Sequence, residues 1–436
     1  MLTRIFRDIL GIVAFAAPLS TLAAPFLVYD ARSMGLGGAG VAIVDNANAA
    51  LVNPALLGLN ARHDRFNLVV PSATLMLSDR GNIRGAWADY KRNAYDEKVS
   101  ASVKSFNTEV QRQIGLGTPD YVALSPLRDD VVANSRAMLA VLERFSDHWL
   151  GVQGNAGAVL GAPDPDYGVS LFWNTWAVGG AKIEITSQDV DLLNTLLNTA
   201  ESVTPQNYQT ILDALALSQR VTDPTDKLLS NFQGRMSSVK EYGFALARQT
   251  HWFGEDIAFG FSPKVLDITL YDYKYVVRDL KKFAWKPEQW KSNQNDLNAD
   301  VGVAARVHGD YYIGMVAKNV FARSYTTRFG NTISFNPQWR LGAAYTAQAW
   351  LVTADFDVVP NIPASLESRS QFLGAGVEWR TYSWLKLRIG MRHDVETQGD
   401  VFTTGMGIAL WSLHLDTAVV VNKNELGAAL QLGVVF

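Results

Sequence analysis

The chain ends in Leu426-Gly427-Ala428-Ala429-Leu430-Gln431-Leu432-Gly433-Val434-Val435-Phe436, in which an apolar series (Leu426, Ala428, Leu430, Leu432, Val434, Phe436) alternates with a small or polar one (Gly427, Ala429, Gln431, Gly433). Successive side chains of a strand point to opposite faces, so this is a strand with one greasy and one wet face that finishes on an aromatic. Strands cross lipid only as a closed sheet that pairs every backbone polar group, with apolar side chains outward and polar ones toward the lumen. The stretch reads as the closing strand of a bacterial outer-membrane β-barrel, with Phe436 as its C-terminal assembly signal.

The same period returns upstream. Ala299, Val301, Val303, Ala305 and Val307 alternate with Asn298, Asp300, Arg306 and His308, and Leu385, Leu387, Ile389 and Met391 with Lys386, Arg388 and Arg392. Counting back from Phe436, strands are expected near 426–436, 412–421, 400–410, 384–394, 371–381, 350–359, 338–348, 311–321 and 298–308, then 256–277, 238–250, 168–187, 150–162 and 65–79. That makes about 14, an even number, as single-chain bacterial barrels require. Tight links such as Gly309 and Ala349 alternate with long ones such as Pro360 to Ser370, so both termini are expected on the periplasmic side and the long links outside.

Two stretches break the pattern. Val99, Val103, Phe106 and Val110 recur at helical spacing, followed by Leu139, Leu142 and Phe145; later Val190, Leu193 and Leu197 precede Thr204-Pro205 and a segment with Tyr208, Ile211, Leu212 and Leu215. Helical inserts are therefore expected over about 85–148 and 188–237, on the extracellular side by strand parity.

At the other end, Arg4 and Arg7 precede an apolar core from Ile9 to Leu19, too short to span a bilayer, then small residues. A proline just after the cut blocks signal peptidase, so cleavage is expected after Ala23 in preference to Ala24, with residues 1–23 as a signal peptide. The 34 glycines, 12 tryptophans and 11% aromatic content suit a barrel, whose aromatics collect at the membrane interfaces. A formal charge of -3 gives no footprint for nucleic acid, and the absence of cysteine removes disulfides, thiol nucleophiles and cysteine metal sites.

Gly35-Leu36-Gly37-Gly38-Ala39-Gly40 satisfies a dinucleotide-binding spacing, but the alternating strands and helices which that chemistry requires are missing. The glycines Gly35, Gly37, Gly38 and Gly40 read instead as a compact turn in a plug, where backbone packs closely on a barrel wall. Ala31 to Ala42, followed by Asn53-Pro54-Ala55-Leu56-Leu57, resembles the N-terminus of the FadL-like outer-membrane barrels, and more closely that of the exported plasmid-transfer TraF-type barrels. Further matching pieces are Phe66 to Asp79, Glu241 to Ala247, Ser262-Pro263-Lys264, Gly314 to Val320, Leu341 to Tyr345 and Leu385 to Arg392, so the resemblance covers nearly all of the mature chain outside the inserts. The FadL-like resemblance implies diffusion of hydrophobic molecules past a movable hatch, with Asn53, Pro54 and Ala55 as hatch positions. The TraF-type resemblance implies an envelope component acting through partners in conjugal transfer or secretion.

The expected architecture is all-β with helical inserts: a transmembrane antiparallel β-barrel over 59–436, with an N-terminal hatch or plug over 24–58. Arg306, Lys318, Arg340, Asp355, Asp357, Glu378, Arg380, Lys386, Arg388, Arg392, His414 and Asp416 are the candidate lumen-lining residues; they pair structurally or line a polar path, because unpaired buried charge is costly. No long apolar lumen face stands out. The six histidines are scattered, no hydrolase motif is present, and only His393-Asp394, at a strand end, offers a pair that could activate water, so no enzyme activity, cofactor or metal is expected. The expected partners are outer-membrane lipid, the barrel assembly machinery and either hydrophobic small molecules or envelope proteins.

This register makes deletion of Phe436 impair assembly, whereas Gln431→Ser on the lumen side is milder. The yield of heat-modifiable barrel on gels reads the difference, and equal yields from both variants would contradict the register.

Overall fold

The alternation that ends the chain is realised as a strand whose side chains are by turns buried and exposed, with Leu426, Leu430 and Leu432 outward and Gly427, Ala429 and Gln431 inward. The computed structural model describes residues 26–59, 66–79, 81–116, 120–146, 148–208, 229–252, 254–276, 286–362 and 364–435. The signal segment, Phe436 and the helical positions Ile211, Leu212 and Leu215 lie outside the described residues.

The strands are β1 (Asn67–Ser78), β2 (Trp149–Ala162), β3 (Gly168–Glu184), β4 (Asn231–Trp252), β5 (Glu255–Val276), β6 (Lys291–Val307), β7 (Tyr311–Lys318), β8 (Arg323–Thr326), β9 (Thr332–Phe335), β10 (Gln338–Thr346), β11 (Trp350–Asp357), β12 (Phe372–Tyr382), β13 (Leu385–Asp394), β14 (Gly399–Leu410), β15 (Leu413–Val421) and β16 (Glu425–Val435). All but β8 and β9 form one closed antiparallel barrel of 14 strands, and β16 pairs with β1 to remove the last free edge. Pro71 cannot donate to a ladder, and the register of β1 shifts between Val69 and Ser72 against both of its neighbours, as a bulge around a proline requires.

Short links gather at the end where β1 begins and β16 ends, the turn end, and both helical inserts lie at the opposite, insert end. The outer surface carries exposed apolar residues on successive strands, among them Leu75, Leu171, Phe244, Phe261, Val352, Ile389 and Phe402. Toward the turn end Trp350 stacks on Trp379 at 5.5 Å, Tyr382 on Trp384 at 5.7 Å, and Tyr311 lies 4.9 Å from Tyr345. An apolar belt bordered by aromatics is the surface that a bilayer and its interface select.

The wall is not of even height. β4 and β5 have 22 residues each and β3 and β6 have 17, against 8 for β7 and β11 and 9 for β10. Along β5 the outward residues Phe259, Phe261 and Val265 give way to Asp267 and Thr269, while the inward ones change from Ser262 and Lys264 to Leu266, Ile268 and Leu270. Outside, Lys240 pairs with Asp267 at 3.2 Å. The strand leaves lipid near Val265, and beyond that point its polarity inverts to the apolar-in pattern of a soluble sheet.

That inversion explains two corrections. β4 begins at Asn231, so the second insert ends before 231 rather than at 237, and β6 begins at Lys291 rather than near 298. Neither extension carries lipid-type alternation, because neither touches lipid. A third correction is the hairpin β8–β9, which occupies a stretch read from sequence as plain loop.

The first insert holds α4 (Ile83–Asn93), α5 (Tyr95–Leu116) and α6 (Tyr121–Glu143), and the second α7 (Ser187–Glu201); three shorter helices, α1 (Ala31–Gly35), α2 (Ala49–Val52) and α3 (Leu56–Leu59), precede β1. Part of the expected apolar stripe packs within the inserts, where Val110, Leu124 and Tyr208 form a buried cluster with Phe106 against it.

α7 is tied to the wall by Asp189. Its buried carboxylate accepts from the backbone N–H groups of Leu229 at 2.9 Å and Ser230 at 2.6 Å and from the Ser230 hydroxyl. Burial acts to raise the Asp189 pKa, but these hydrogen bonds outweigh it and hold the carboxyl below its ordinary value. The tie is thus fully present above the unfolded carboxyl value of about 4 and is lost as pH falls through the lower folded value. Asp189→Ala is expected to lower the amide-exchange protection factors of Leu229 and Ser230 about tenfold or more at neutral pH, and acidification should lower the same factors, taken relative to intrinsic exchange at each pH, in the unaltered chain. Exchange that is equally slow in both proteins would show that the tie holds nothing.

Candidate functional site

Closing the sheet leaves a lumen lined with polar side chains, and the chain itself fills it. The segment 26–59 is almost wholly buried: α1 packs against β13, β14, β15, β16 and β1, and α3 against β3, β4, β5 and β6. Asp30 starts α1 by accepting from the Ser33 N–H and hydroxyl, both at 2.7 Å.

The glycine run places backbone against backbone. Gly37 and Gly38 turn the chain at φ 71° and 86°, and an added Cβ on Gly37 would fall on the carbonyl oxygens of Met391 and Ala375. The wall answers with its own glycines, since side chains at Gly374, Gly376 or Gly390 would strike the backbone of Leu36 and Gly37. Gly35 meets Gly405 in the same way, and Gly40 donates its N–H to Asp355 at 2.7 Å.

A second glycine pad receives the Asn53-Pro54-Ala55 motif. Asn53 Nδ2 donates to the Val41 carbonyl at 2.9 Å while its Oδ1 accepts from the Ala55 N–H at 3.1 Å, so one side chain ties two turns of the segment. Gly302 makes room for that Oδ1, Gly260 for the Pro54–Ala55 backbone and Gly314 for the Val41 carbonyl.

Around both pads runs a belt of buried ion pairs. Glu378, with no exposed surface, accepts from Arg32 Nε at 2.9 Å and Nη2 at 3.0 Å, from Arg388 Nε at 2.8 Å, and more distantly from Arg380 at 3.5 Å. Arg388 reaches Asp416 at 2.6 Å, and Arg32 reaches Asp45 at 3.1 Å. Asp355 takes the N–H groups of both Gly40 and Val41, Arg340 pairs with Asp357 at 2.6 Å beneath the ring of Phe26, and Arg392 pairs with Glu425 at 3.1 Å. Lys318 donates to the Leu51 carbonyl at 2.5 Å, lies 4.2 Å from the centre of the Tyr29 ring and reaches Asp300 at 3.4 Å.

Eleven of the twelve candidate lumen residues thus fall in or beside one belt: Lys318, Arg340, Asp355, Asp357, Glu378, Arg388 and Arg392 are buried in it, and Arg380, Lys386, His414 and Asp416 flank it half-exposed. Arg306 stands apart, donating to the Gly309 carbonyl at 2.6 Å in a turn. Sequence reading missed Arg32 and Asp45, which the segment contributes, and the buried Lys264–Glu241 and Lys264–Asp300 pairs at 3.2 Å and 2.9 Å. The polar member of each outward-apolar triplet, such as Glu241 beside Tyr242 and Lys264 beside Val265, was the available signal. His393 pairs with Asp400 at 2.7 Å, while Asp394 holds Thr397 and the Gln371 and Glu396 N–H groups, so those adjacent residues form no dyad.

Above the belt, on the tall side, the lumen turns apolar, contrary to the reading that no such face exists. Trp176, Val178, Val239, Leu266, Ile268 and Leu270 line a buried cluster, and the β8–β9 hairpin fills it with Tyr325, Ile333 and Phe335. The Trp176 and Phe335 rings lie 5.7 Å apart, and Tyr325 donates to Asp296 at 3.1 Å.

Solved structures similar to this chain include the Ralstonia pickettii toluene transporter TbuX, at 12% identity over 93% of this chain and 98% of that one with a TM-score of 0.47. The Pseudomonas putida toluene transporter TodX is similar at 11% identity over 95% and 98% with a TM-score of 0.45, and a Pseudomonas aeruginosa FadL homologue at 10% identity over 96% and 99% with a TM-score of 0.40. No curated protein sequence matches the chain. The family described as "F plasmid transfer operon, TraF, protein" matches residues 50–357, well over half of the sequence, and the chain belongs to that family.

Proposed function

We propose that the protein is a passive conduit of the bacterial outer membrane for small hydrophobic or amphipathic molecules, with the buried N-terminal segment as its hatch. The observation that carries this reading is the stacking of two unlike zones in one lumen. An apolar chamber faces the insert end, filled by the β8–β9 hairpin and by Ala364 of the link after β11, and beneath it the segment adds polar ties to its apolar contacts. An apolar solute can exchange for Tyr325, Ile333 and Phe335, because both fill the chamber with the same kind of surface. Onward passage requires the segment to shift, which breaks its ion pairs and also moves its apolar residues, such as Leu51, Leu56 and Leu57, from the buried cluster they share with the wall.

A second reading, a TraF-type envelope component acting through partners in conjugal transfer or secretion, is favoured by the family match and by apolar residues standing out from the inserts, Val122 at 81% exposed and Leu116 at 59%. Val122→Ser with Leu116→Ser is expected to leave probe flux intact if the protein is a conduit. On the partner reading, the same change abolishes co-purification of an envelope component.

The hatch is tested in planar bilayers and by uptake of hydrophobic probes. Deleting residues 24–58 should leave a folded barrel with higher single-channel conductance. Glu378→Ala strands two arginines, an imbalance of about 3–5 kcal/mol, and should raise conductance part of the way. Adding Arg32→Ala should then cost less than the separate effects predict, because both residues act through one pair. Unchanged conductance after a clean deletion rules out the hatch.

A further inference from the structure

At the turn end, where the segment meets β13, there is a cavity of about 100 Å³ lined by Arg32, Asp45 and Asn46 of the segment and by Lys386, Arg388 and Asp416 of the wall. We propose that this cavity is a binding site for a small oxyanion group, a phosphate or a carboxylate.

Two donors without a partner line it, Asn46 Nδ2 and Lys386 Nζ. Asn46 is 8% exposed; its Oδ1 accepts from the Asn48 N–H at 2.9 Å, which fixes the amide orientation, and its Nδ2 has no hydrogen-bond partner. Arg388 Nη1, by contrast, is already taken up by Asp416 Oδ1 at 2.6 Å. Lys386 makes no hydrogen bond or ion pair among the described residues and faces the cavity.

Charge points the same way. Around the cavity Arg32 and Arg388 are taken up by Glu378, Asp45 and Asp416, and Lys386 is the lining lysine with no carboxylate within ion-pair distance among the described residues. Water could satisfy the orphan donors but would leave the Lys386 ammonium without a directly paired anion. An oxyanion supplies both the lone pairs and the charge, and the volume accepts one tetrahedral group in place of a few waters. The donors come from both the segment and the wall, so a bound anion joins them and stabilises the seated arrangement by mass action. The site does not rest on the conduit reading, since anion binding and probe uptake are separate measurements.

The test is equilibrium dialysis of the purified full-length barrel in detergent against inorganic phosphate, with acetate as a competitor, in an otherwise phosphate-free buffer of low ionic strength. One saturable site per barrel is expected. Lys386→Met should weaken it at least about tenfold, Asn46→Leu several-fold, and Lys386→Arg should retain it, as charge-assisted donors imply; Lys423→Met, in a link at the opposite end, should change nothing. Heat modifiability on gels shows which variants are folded, and the Lys386→Arg and Asn46→Leu pair decides the matter if Lys386→Met does not fold. Binding of acetate in preference to phosphate assigns the site to carboxylates. Absence of saturable binding of either ion, or equal affinity in wild type and Asn46→Leu together with Lys386→Met, overturns the proposal.

Discussion

In hydrocarbon every unpaired backbone N–H or C=O costs several kcal/mol, and the pairing of β1 with β16 is what removes the last of them. The rest of the structure depends on that closure. A closed sheet with lipid outside must turn its polar side chains inward, and a 14-stranded ring is too wide for side chains alone to fill. The chain supplies the missing volume from its own N-terminus, so the segment 26–59 belongs to the barrel's interior as fully as the inward residues of the strands do.

Besides apolar packing of residues such as Met34, Leu36, Leu51 and Leu56 on the wall, two complementary kinds of contact seat the segment. Glycines in the wall let backbone approach backbone, which gives shape without chemical selectivity. Buried pairs such as Arg32–Glu378 and Gly40–Asp355 add direction, because each ties one named atom of the segment to one strand. A purely apolar seat would be slippery and a purely ionic one would carry large desolvation penalties. Added to the apolar packing, these two kinds of contact give the segment a seat of defined register.

Much of this was legible in the sequence. Period-two alternation located every barrel strand, because lipid on one side and polar lumen on the other impose opposite demands on neighbouring residues. Where a strand leaves the membrane that demand disappears, which is why the upper parts of β4 and β6 and the β8–β9 hairpin escaped notice. The lumen charges were visible as the polar members of the alternation, but their partners were not: nothing local in Ala31-Arg32-Ser33 shows that Arg32 meets Glu378, more than 340 residues away. The apolar chamber was hidden for a subtler reason, since Leu266, Ile268 and Leu270 look like a continuation of the lipid face until the structure shows them to be on the opposite one.

The uneven height of the wall has a geometric consequence. At about 3.3 Å per residue the longest strands are roughly 70 Å in contour and the shortest about 26 Å, so the rim at the insert end is cut on a slant rather than level. A slanted rim gives the molecule a front and a back within the plane of the membrane: a raised screen on the β3–β6 side, and on the β7 to β13 side a sill close to the lipid headgroups. Anything arriving along the membrane surface meets a low threshold from one bearing and a wall from the other.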